Sequence, residues 1–301
     1  MPADSRPDDI AEQIDQVNEA TRRLLAGLDS LTEADVARPS LCPGWTVGHV
    51  LTHIARNADG LRRGAEGARR GEAVPMYASA EARDHEIEAG AGRPIPDLVA
   101  DVTSSAAALS EAWSAMSTAD WDRAMLHHRY GTLLLNGTPM MRRSEVEIHH
   151  VDLADRFRPD AWPDSFVSHI LSGAGRLSER LPDGLALQVH ATDSGEHWSA
   201  GAGSSGGGGA PAEGAAGAEG GPGADRGAGA DRGAGADRGA GADRGAGAED
   251  GAGAEGGARP RRVVVAGPSW AIAAWLVGRP GPVADALSVT GGELPSLEPW
   301  P

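Results

Sequence analysis

The sequence predicts a bundle of α-helices over residues 1–157, followed by a small α+β domain over residues 158–301. The first part contains long stretches with apolar residues at three- and four-residue steps, which are typical of amphipathic helices. The second part combines helical stretches with short alternating or β-branched stretches, which indicate strands. Within it, residues 201–258 contain no Val, Ile, Leu, Met or aromatic residue, so they cannot build a core and are predicted to be disordered.

Four long helices and a weaker one are predicted in the bundle, joined by short connections. The first covers residues 9–28, and the second, "TVGHVLTHIARNADGLRRGAEGARRG", starts at a cap formed by Thr46. The weaker helix is "SAEARDHEIEAG". A further helix, "PDLVADVTSSAAALSEAWSAM", has Pro96 in its first turn. The last is "TPMMRRSEVEIHHVDLADRF", with Thr138 as the expected cap and Pro139 at the first helical position.

The α+β domain is predicted from five segments. A helix in "PDSFVSHILSGAGRLSERL" precedes the alternating strand "GLALQVHAT". After the low-complexity segment come the strand "RRVVVAGP", the apolar helix "SWAIAAWLVGR" and the short strand "ALSVTGG". The low-complexity segment repeats "GAGADR", and we interpret it as an expanded surface loop because the entropic cost of closing a loop grows slowly with its length.

Charge and composition exclude several classes of protein. The formal net charge of −16 argues against nonspecific binding to nucleic acid, which requires a basic surface. Cys42 is the one cysteine, so an intramolecular disulfide is impossible. The N-terminal residues lack the pattern of a signal peptide, and no apolar run is long enough to cross a membrane. We therefore expect a cytoplasmic protein with no membrane partner.

The stretch "RRSEVEIHHVDL" contains candidate metal ligands, and helical phase separates them. Glu145 and His149, four residues apart, are predicted to point into the apolar face, where a carboxylate needs a partner or a cation. Glu147 and His150 are predicted to point toward solvent or an edge. Asp152 lies near the same face as Glu145 and could support the ligands. The alternative is a buried Glu–His hydrogen bond without a metal.

The second helix offers a third ligand. His53 lies closer to the apolar face than His49, with Asn57 beside it, so His53 is predicted to point inward. A His–Glu–His set leaves the fourth tetrahedral position open, which is the pattern of catalytic zinc sites, although other divalent metals suit the same donors. We interpret Cys42 as a small buried thiol, with a catalytic nucleophile as the alternative.

Two segments together resemble a known family. "LCPGWTVGHVLTHIARNADGL" and "RRSEVEIHHVDLADRF" are similar to motifs of the mycothiol-dependent maleylpyruvate isomerase family, whose N-terminal domain is a DinB-like four-helix bundle. "VVVAGPSWAIAAWLVGR" and "LSVTGGELPSLEPW" resemble its C-terminal α+β domain, which is related to sterol carrier proteins. The resemblance implies metal ligands at His53, Glu145 and His149, a catalytic arginine at Arg279, and a monomer.

The resemblance also implies thiol chemistry. A divalent metal, expected to be zinc, lowers the pKa of the mycothiol sulfur, so that a thiolate is available at neutral pH. The thiolate adds to an electrophilic small molecule. Isomerisation requires rotation and elimination after this addition, whereas thiol transfer stops there. Arg279 is expected to pair with a substrate carboxylate. The alternative is a metal-containing protein that binds or senses a ligand without turnover.

Overall fold

The computed structural model describes residues 7–127, 129–154, 157–182, 184–201 and 261–297, with side chains from residue 9 onward. The segment predicted to be disordered therefore lies outside the described residues, apart from its first residue. No helix in these ranges combines the length and apolar character needed to span a membrane. The helices are α1 (Pro7–Leu28), α2 (Glu33–Val36), α3 (Val47–Arg70), α4 (Ala80–Gly90), α5 (Ile95–Ser114), α6 (Thr118–Trp121), α7 (Thr138–Asp152), α8 (Asp164–Ser172) and α9 (Ser269–Leu276); the strands are β1 (Ala124–His127), β2 (Gly131–Leu134), β3 (Leu185–Ala191), β4 (His197–Gly201), β5 (Arg261–Gly267) and β6 (Ser288–Thr290).

The long helices α1, α3, α5 and α7 form most of the N-terminal region. Helix α3 packs along α5, α1 packs along α7, and α3 also contacts α7. Apolar residues recur at helical spacing along α1, and Ile10, Val17, Leu24 and Leu28 among them are buried. The sequence prediction of these helices is therefore confirmed to within two residues at most ends, and it is the α3–α7 contact that matters for the site.

Helix α7 is covered on all sides, and all of its residues except Met140 are buried. On one side, Val146 and Leu153 pack into the apolar core shared with α3 and α5. On the other side, Ile148 and Val151 pack into the apolar core of the C-terminal region. The helix that carries two predicted ligands thus belongs to two cores at once.

This position makes one sequence prediction wrong. Glu147 and His150 were expected to face solvent or an edge, but their exposed fractions are 1% and 3%. Glu147 accepts a hydrogen bond from Arg23 at 2.5 Å, and the ring of His150 stacks on Phe157 with the centroids 3.8 Å apart. Burial raises the pKa of Glu147 despite this pairing. Helical phase gave the direction of these side chains, but it could not show that Arg23 on α1 and Phe157 after α7 cover them.

The C-terminal region contains a four-stranded sheet in the order β4-β3-β5-β6. Strand β3 is parallel to β5, with Leu187 opposite Val263, and the other two pairings are antiparallel. The predicted strands are thus present as β3, β5 and β6, whereas β4 and the β1–β2 hairpin were not predicted. The helix predicted before β3 is shorter than expected, because after α8 the chain continues as a 3-10 helix over Gly173–Arg180.

Candidate metal centre

The start of α3 fixes the direction in which His53 points. Thr46 caps the helix as predicted, with its hydroxyl accepting a hydrogen bond from the backbone N–H of His49. Gly48 allows α3 to lie directly against the C-terminus of α4, where Ala91 caps the helix. A Cβ at Gly48 would overlap the carbonyl oxygen of Ala91. Helix α3 therefore sits close to its neighbours, and the next turn places His53 in the interior, with no exposed surface.

At the start of α7, the cap lies one residue earlier than predicted. Gly137 occupies the cap position, and Thr138 is the first residue of the helix, with its hydroxyl donating to the carbonyl of Leu135 at 2.6 Å. Pro139 stands in the first turn, where its missing N–H costs no helical hydrogen bond. Two turns further on, Glu145 points toward α3.

The structure brings the three predicted ligands together. The Nε2 atom of His53 lies 2.9 Å from Oε2 of Glu145, and Nε2 of His149 lies 3.3 Å from the same oxygen. The two imidazole rings are nearly perpendicular, with centroids 4.7 Å apart. All three side chains are buried, and one ligand atom from each lies within 4.8 Å of the others.

The electrostatic environment sets the charge of each ligand. Burial alone would raise the pKa of Glu145, but the imidazoles of His149 and His53 beside it outweigh burial and hold this pKa well below its ordinary value. Burial lowers the pKa of His53. Burial would also lower the pKa of His149, but Asp152, Cys42 and Glu145 together raise it well above the ordinary value. The site at neutral pH therefore holds a carboxylate and a neutral His53.

A second group of polar side chains lies behind His149. Oδ2 of Asp152 is 2.7 Å from Nδ1 of His149, and it accepts a hydrogen bond from the Cys42 thiol at 3.1 Å. Arg279 donates to both oxygens of Asp152, from Nε at 2.9 Å and from Nη2 at 2.5 Å. Cys42 is 2% exposed, which agrees with its interpretation as a buried thiol.

Two sets of donor atoms in the described residues have the spacing of a metal site, and they share His149. The set with Cys42 and Asp152 already has a cation, since Arg279 contacts both of these residues. It also uses Nδ1 of His149, which is held by Asp152. A second cation there would meet like charge, so this set does not fit a metal ion.

The set of His53, Glu145 and His149 does fit a divalent metal. Nε2 of His149 is buried and makes no hydrogen bond, although it lies 3.3 Å from Oε2 of Glu145. A buried nitrogen lone pair or N–H without a partner is costly, and a metal ion would satisfy it. Two imidazole nitrogens and a carboxylate oxygen are the donors of many catalytic zinc sites.

Other polar residues near the set were given no role by the sequence analysis. Arg83 on α4 places Nη2 3.4 Å from Nδ1 of His53 and lies over the ring of Trp45. Arg142 on α7 donates to the side chain of Asn57 at 2.8 Å, and burial lowers its pKa to about 10. Arg83 belongs to the helix with the weakest apolar pattern, so no spacing in the sequence connects it to His53.

His49 lies outside the set, as predicted. Its Nδ1 contacts the Thr46 hydroxyl at 2.8 Å, and its Nε2 lies 3.0 Å from the exposed carboxylate of Glu88. The two histidines of α3 thus have different roles: His49 supports the start of the helix, and His53 faces the buried set.

Comparisons with known proteins find similarity over the N-terminal helices and over the fold. Residues 17–154 match the family model described as the mycothiol maleylpyruvate isomerase N-terminal domain. Two solved structures are similar over nearly the whole chain: the mycothiol-dependent maleylpyruvate isomerase, and a mutant of it with a histidine replaced by alanine. In each case the TM-score is 0.71, with 23% identity and 97% of both chains covered, a likeness that shows the fold. No curated protein matches the sequence. The match contains all three predicted ligands, and it assigns residues 17–154 to the mycothiol maleylpyruvate isomerase N-terminal domain.

Proposed function

We propose that the chain is a metal-dependent and mycothiol-dependent enzyme that adds a thiolate to an electrophilic small molecule. The overall reaction is either cis-trans isomerisation of that molecule or transfer of the thiol to it. One observation carries the proposal: the buried carboxylate of Glu145 stands between two imidazoles, and Nε2 of His149 has no hydrogen bond. The family of the N-terminal domain supports mycothiol as the thiol.

His53, Glu145 and His149 would hold the metal, and zinc is the expected ion. When bound, such an ion lowers the pKa of a thiol, so that thiolate forms at neutral pH. Glu145 contributes the negative charge that attracts the ion, and burial keeps His53 neutral and able to donate its lone pair. Because all three side chains are buried, water competes little with the ligands.

Arg279 is the catalytic residue implied by family resemblance, through pairing with a substrate carboxylate. In the structure, four of its five N–H groups have partners: two on Asp152, one on Cys42 and one on the carbonyl of Val277. We retain Arg279 as a residue on which activity depends. Its contacts favour an effect exerted through Asp152 over direct contact with the substrate.

We propose a DinB-like bundle over residues 1–157 and a sterol-carrier-like α+β domain over 158–301, since the helices α1, α3, α5 and α7 precede the sheet region along the chain. We also propose a cytoplasmic monomer that acts on small molecules and binds neither nucleic acid nor a membrane, in keeping with the acidic net charge of −16.

Metal analysis and thiol binding test the proposal. Purified protein reconstituted with zinc should retain about one equivalent after dialysis, and His53→Ala should retain much less, because one of three protein ligands is gone. The zinc-loaded protein should bind mycothiol in calorimetry and accelerate its addition to an electrophile. Metal retention without mycothiol binding would instead favour a protein that binds or senses a ligand without turnover. Loss of metal from the wild-type protein would refute the site.

A further inference from the structure

We infer that Asp152 and Arg279 are positioning residues that hold His149 in the tautomer that presents Nε2 to the metal. The inference rests on the proposed metal site and assigns Arg279 a role different from substrate binding. It also gives the C-terminal region a direct effect on the strength of metal binding.

The first step is the contact between Asp152 and His149. Asp152 is fully buried, and its Oδ2 lies 2.7 Å from Nδ1 of His149. An ionised carboxylate can only accept hydrogen bonds, so Nδ1 must carry the proton. In the neutral ring the lone pair is then on Nε2, the atom that is buried without a hydrogen bond next to Glu145. Carboxylate partners of this kind orient metal-binding histidines in many proteins.

The second step is the contact between Arg279 and Asp152. Arg279 donates to both carboxylate oxygens, a paired geometry that fixes the plane of the carboxylate. The guanidinium is itself anchored, since Nη1 donates to the carbonyl of Val277 at 2.8 Å. Gly278 has a φ of 80°, which turns the chain at the end of α9 and directs Arg279 back toward α7. Without this cation, Asp152 would be a buried charge with fewer partners, which is unfavourable.

The third step is the place of these residues in the fold. Asp152 is the last residue of α7, whereas Arg279 follows α9 in the C-terminal region, 127 positions later in the chain. The orientation of a ligand in the N-terminal helices therefore depends on a side chain contributed by the C-terminal region. Cys42 completes the cluster, because its thiol also donates to Asp152.

The test compares Asp152→Asn, Arg279→Met and the double variant with the wild-type protein. Zinc affinity is measured by competition with a chromophoric chelator. Nitrogen NMR of the metal-free protein at alkaline pH, where the ring is neutral, shows which nitrogen of His149 carries the proton. In Asp152→Asn, Arg279 should donate to the amide oxygen, which leaves the amide N–H₂ facing His149. Nδ1 of His149 must then accept a hydrogen bond, so the proton moves to Nε2. We expect both single variants to bind zinc about 10- to 100-fold more weakly, the usual effect of losing such a partner.

Coupling between the two residues gives a second readout. If Arg279 acts through Asp152, the double variant should bind zinc no more weakly than Asp152→Asn alone. The double variant also removes both buried charges, so it remains informative if Arg279→Met does not fold. Arg279→Lys keeps the charge but cannot form the paired contact, and it should restore only part of the affinity.

Arg38→Gln is the matched control. Arg38 binds the same end of α7, donating to the carbonyls of Leu153 at 2.9 Å and Ala154 at 3.2 Å, but it does not contact Asp152. It should leave zinc affinity and the His149 tautomer unchanged. If Arg279→Met also leaves both unchanged and raises KM for the electrophile, Arg279 binds substrate and the inference is wrong. Failure of the wild-type protein to bind zinc would refute the proposed function, while the tautomer in the metal-free variants would still decide the positioning role.

Discussion

His53 on α3 and Glu145 on α7 approach within 2.9 Å although 92 residues separate them in the chain. Both side chains are buried, so their positions are set by contacts with other protein groups and not by bulk water. The contact joins two long helices through two of the proposed metal ligands, and the stability of the site and the packing of these helices should therefore change together.

Glu145→Gln should abolish zinc retention while preserving the shape of the side chain. The substitution removes the negative charge that three-ligand zinc sites use to attract the ion. Metal content after dialysis is the measurement. Glu147→Gln is the control, because Glu147 is equally buried on the same helix but pairs with Arg23 instead. It should retain zinc and lose about 1–3 kcal/mol of unfolding free energy from the weakened pair. Equal zinc retention in the two variants would contradict the ligand assignment.

Zinc affinity should rise with pH by about tenfold per pH unit, because binding displaces one proton. That proton comes from His149, whose pKa is raised well above its ordinary value despite burial, by Asp152, Cys42 and Glu145. The rise should level off once the pH exceeds this raised pKa. His53 contributes no proton at neutral pH, because burial lowers its pKa. Chelator competition from pH 6 upward, corrected for the chelator's own protonation, measures the slope. A slope of about two would mean that both imidazoles are protonated in the metal-free protein and that zinc displaces two protons.

Gly48→Ala should destabilise the protein and disturb the site. The added Cβ would overlap the carbonyl oxygen of Ala91, so α3 must move away from the end of α4. We expect a loss of about 2–3 kcal/mol in urea denaturation. Gly92→Ala is the control, since nothing lies within 4 Å of a Cβ there. It should change the unfolding free energy by less than about 0.5 kcal/mol. Similar unfolding free energies for the two variants would show that α3 can move away from α4 without loss of stability.

Ile148→Ala should cost about 2–4 kcal/mol of unfolding free energy, because it opens a cavity in the core of the C-terminal region. Ile148 has no exposed surface, whereas Met140 on the same helix is half-buried and provides the control. Met140→Ala should cost clearly less. Urea denaturation followed by tryptophan fluorescence measures both. A cost for Ile148→Ala below that of Met140→Ala would contradict the shared position of α7.

Helical phase was sufficient to predict that Glu145, His149 and His53 point inward, because each argument needed only the spacing of apolar residues along one helix. It failed for Glu147 and His150, since the pattern within a helix does not show how many neighbours cover it. The link between Asp152 and Arg279 could not be read from spacing either, because their proximity depends on how the two regions pack. Strand β4 was missed since "HWSAG" is short and largely polar.

Helix α7 is common to the N-terminal and C-terminal cores, and this has a consequence for folding. An ion held by Glu145 and His149 stabilises only the conformation in which α7 is intact, and α7 is intact only when both cores are packed around it. Metal binding should thus act as a cooperative link. It would merge the unfolding of the two halves into one transition. A substitution that destabilises either half would then lower the affinity for the ion.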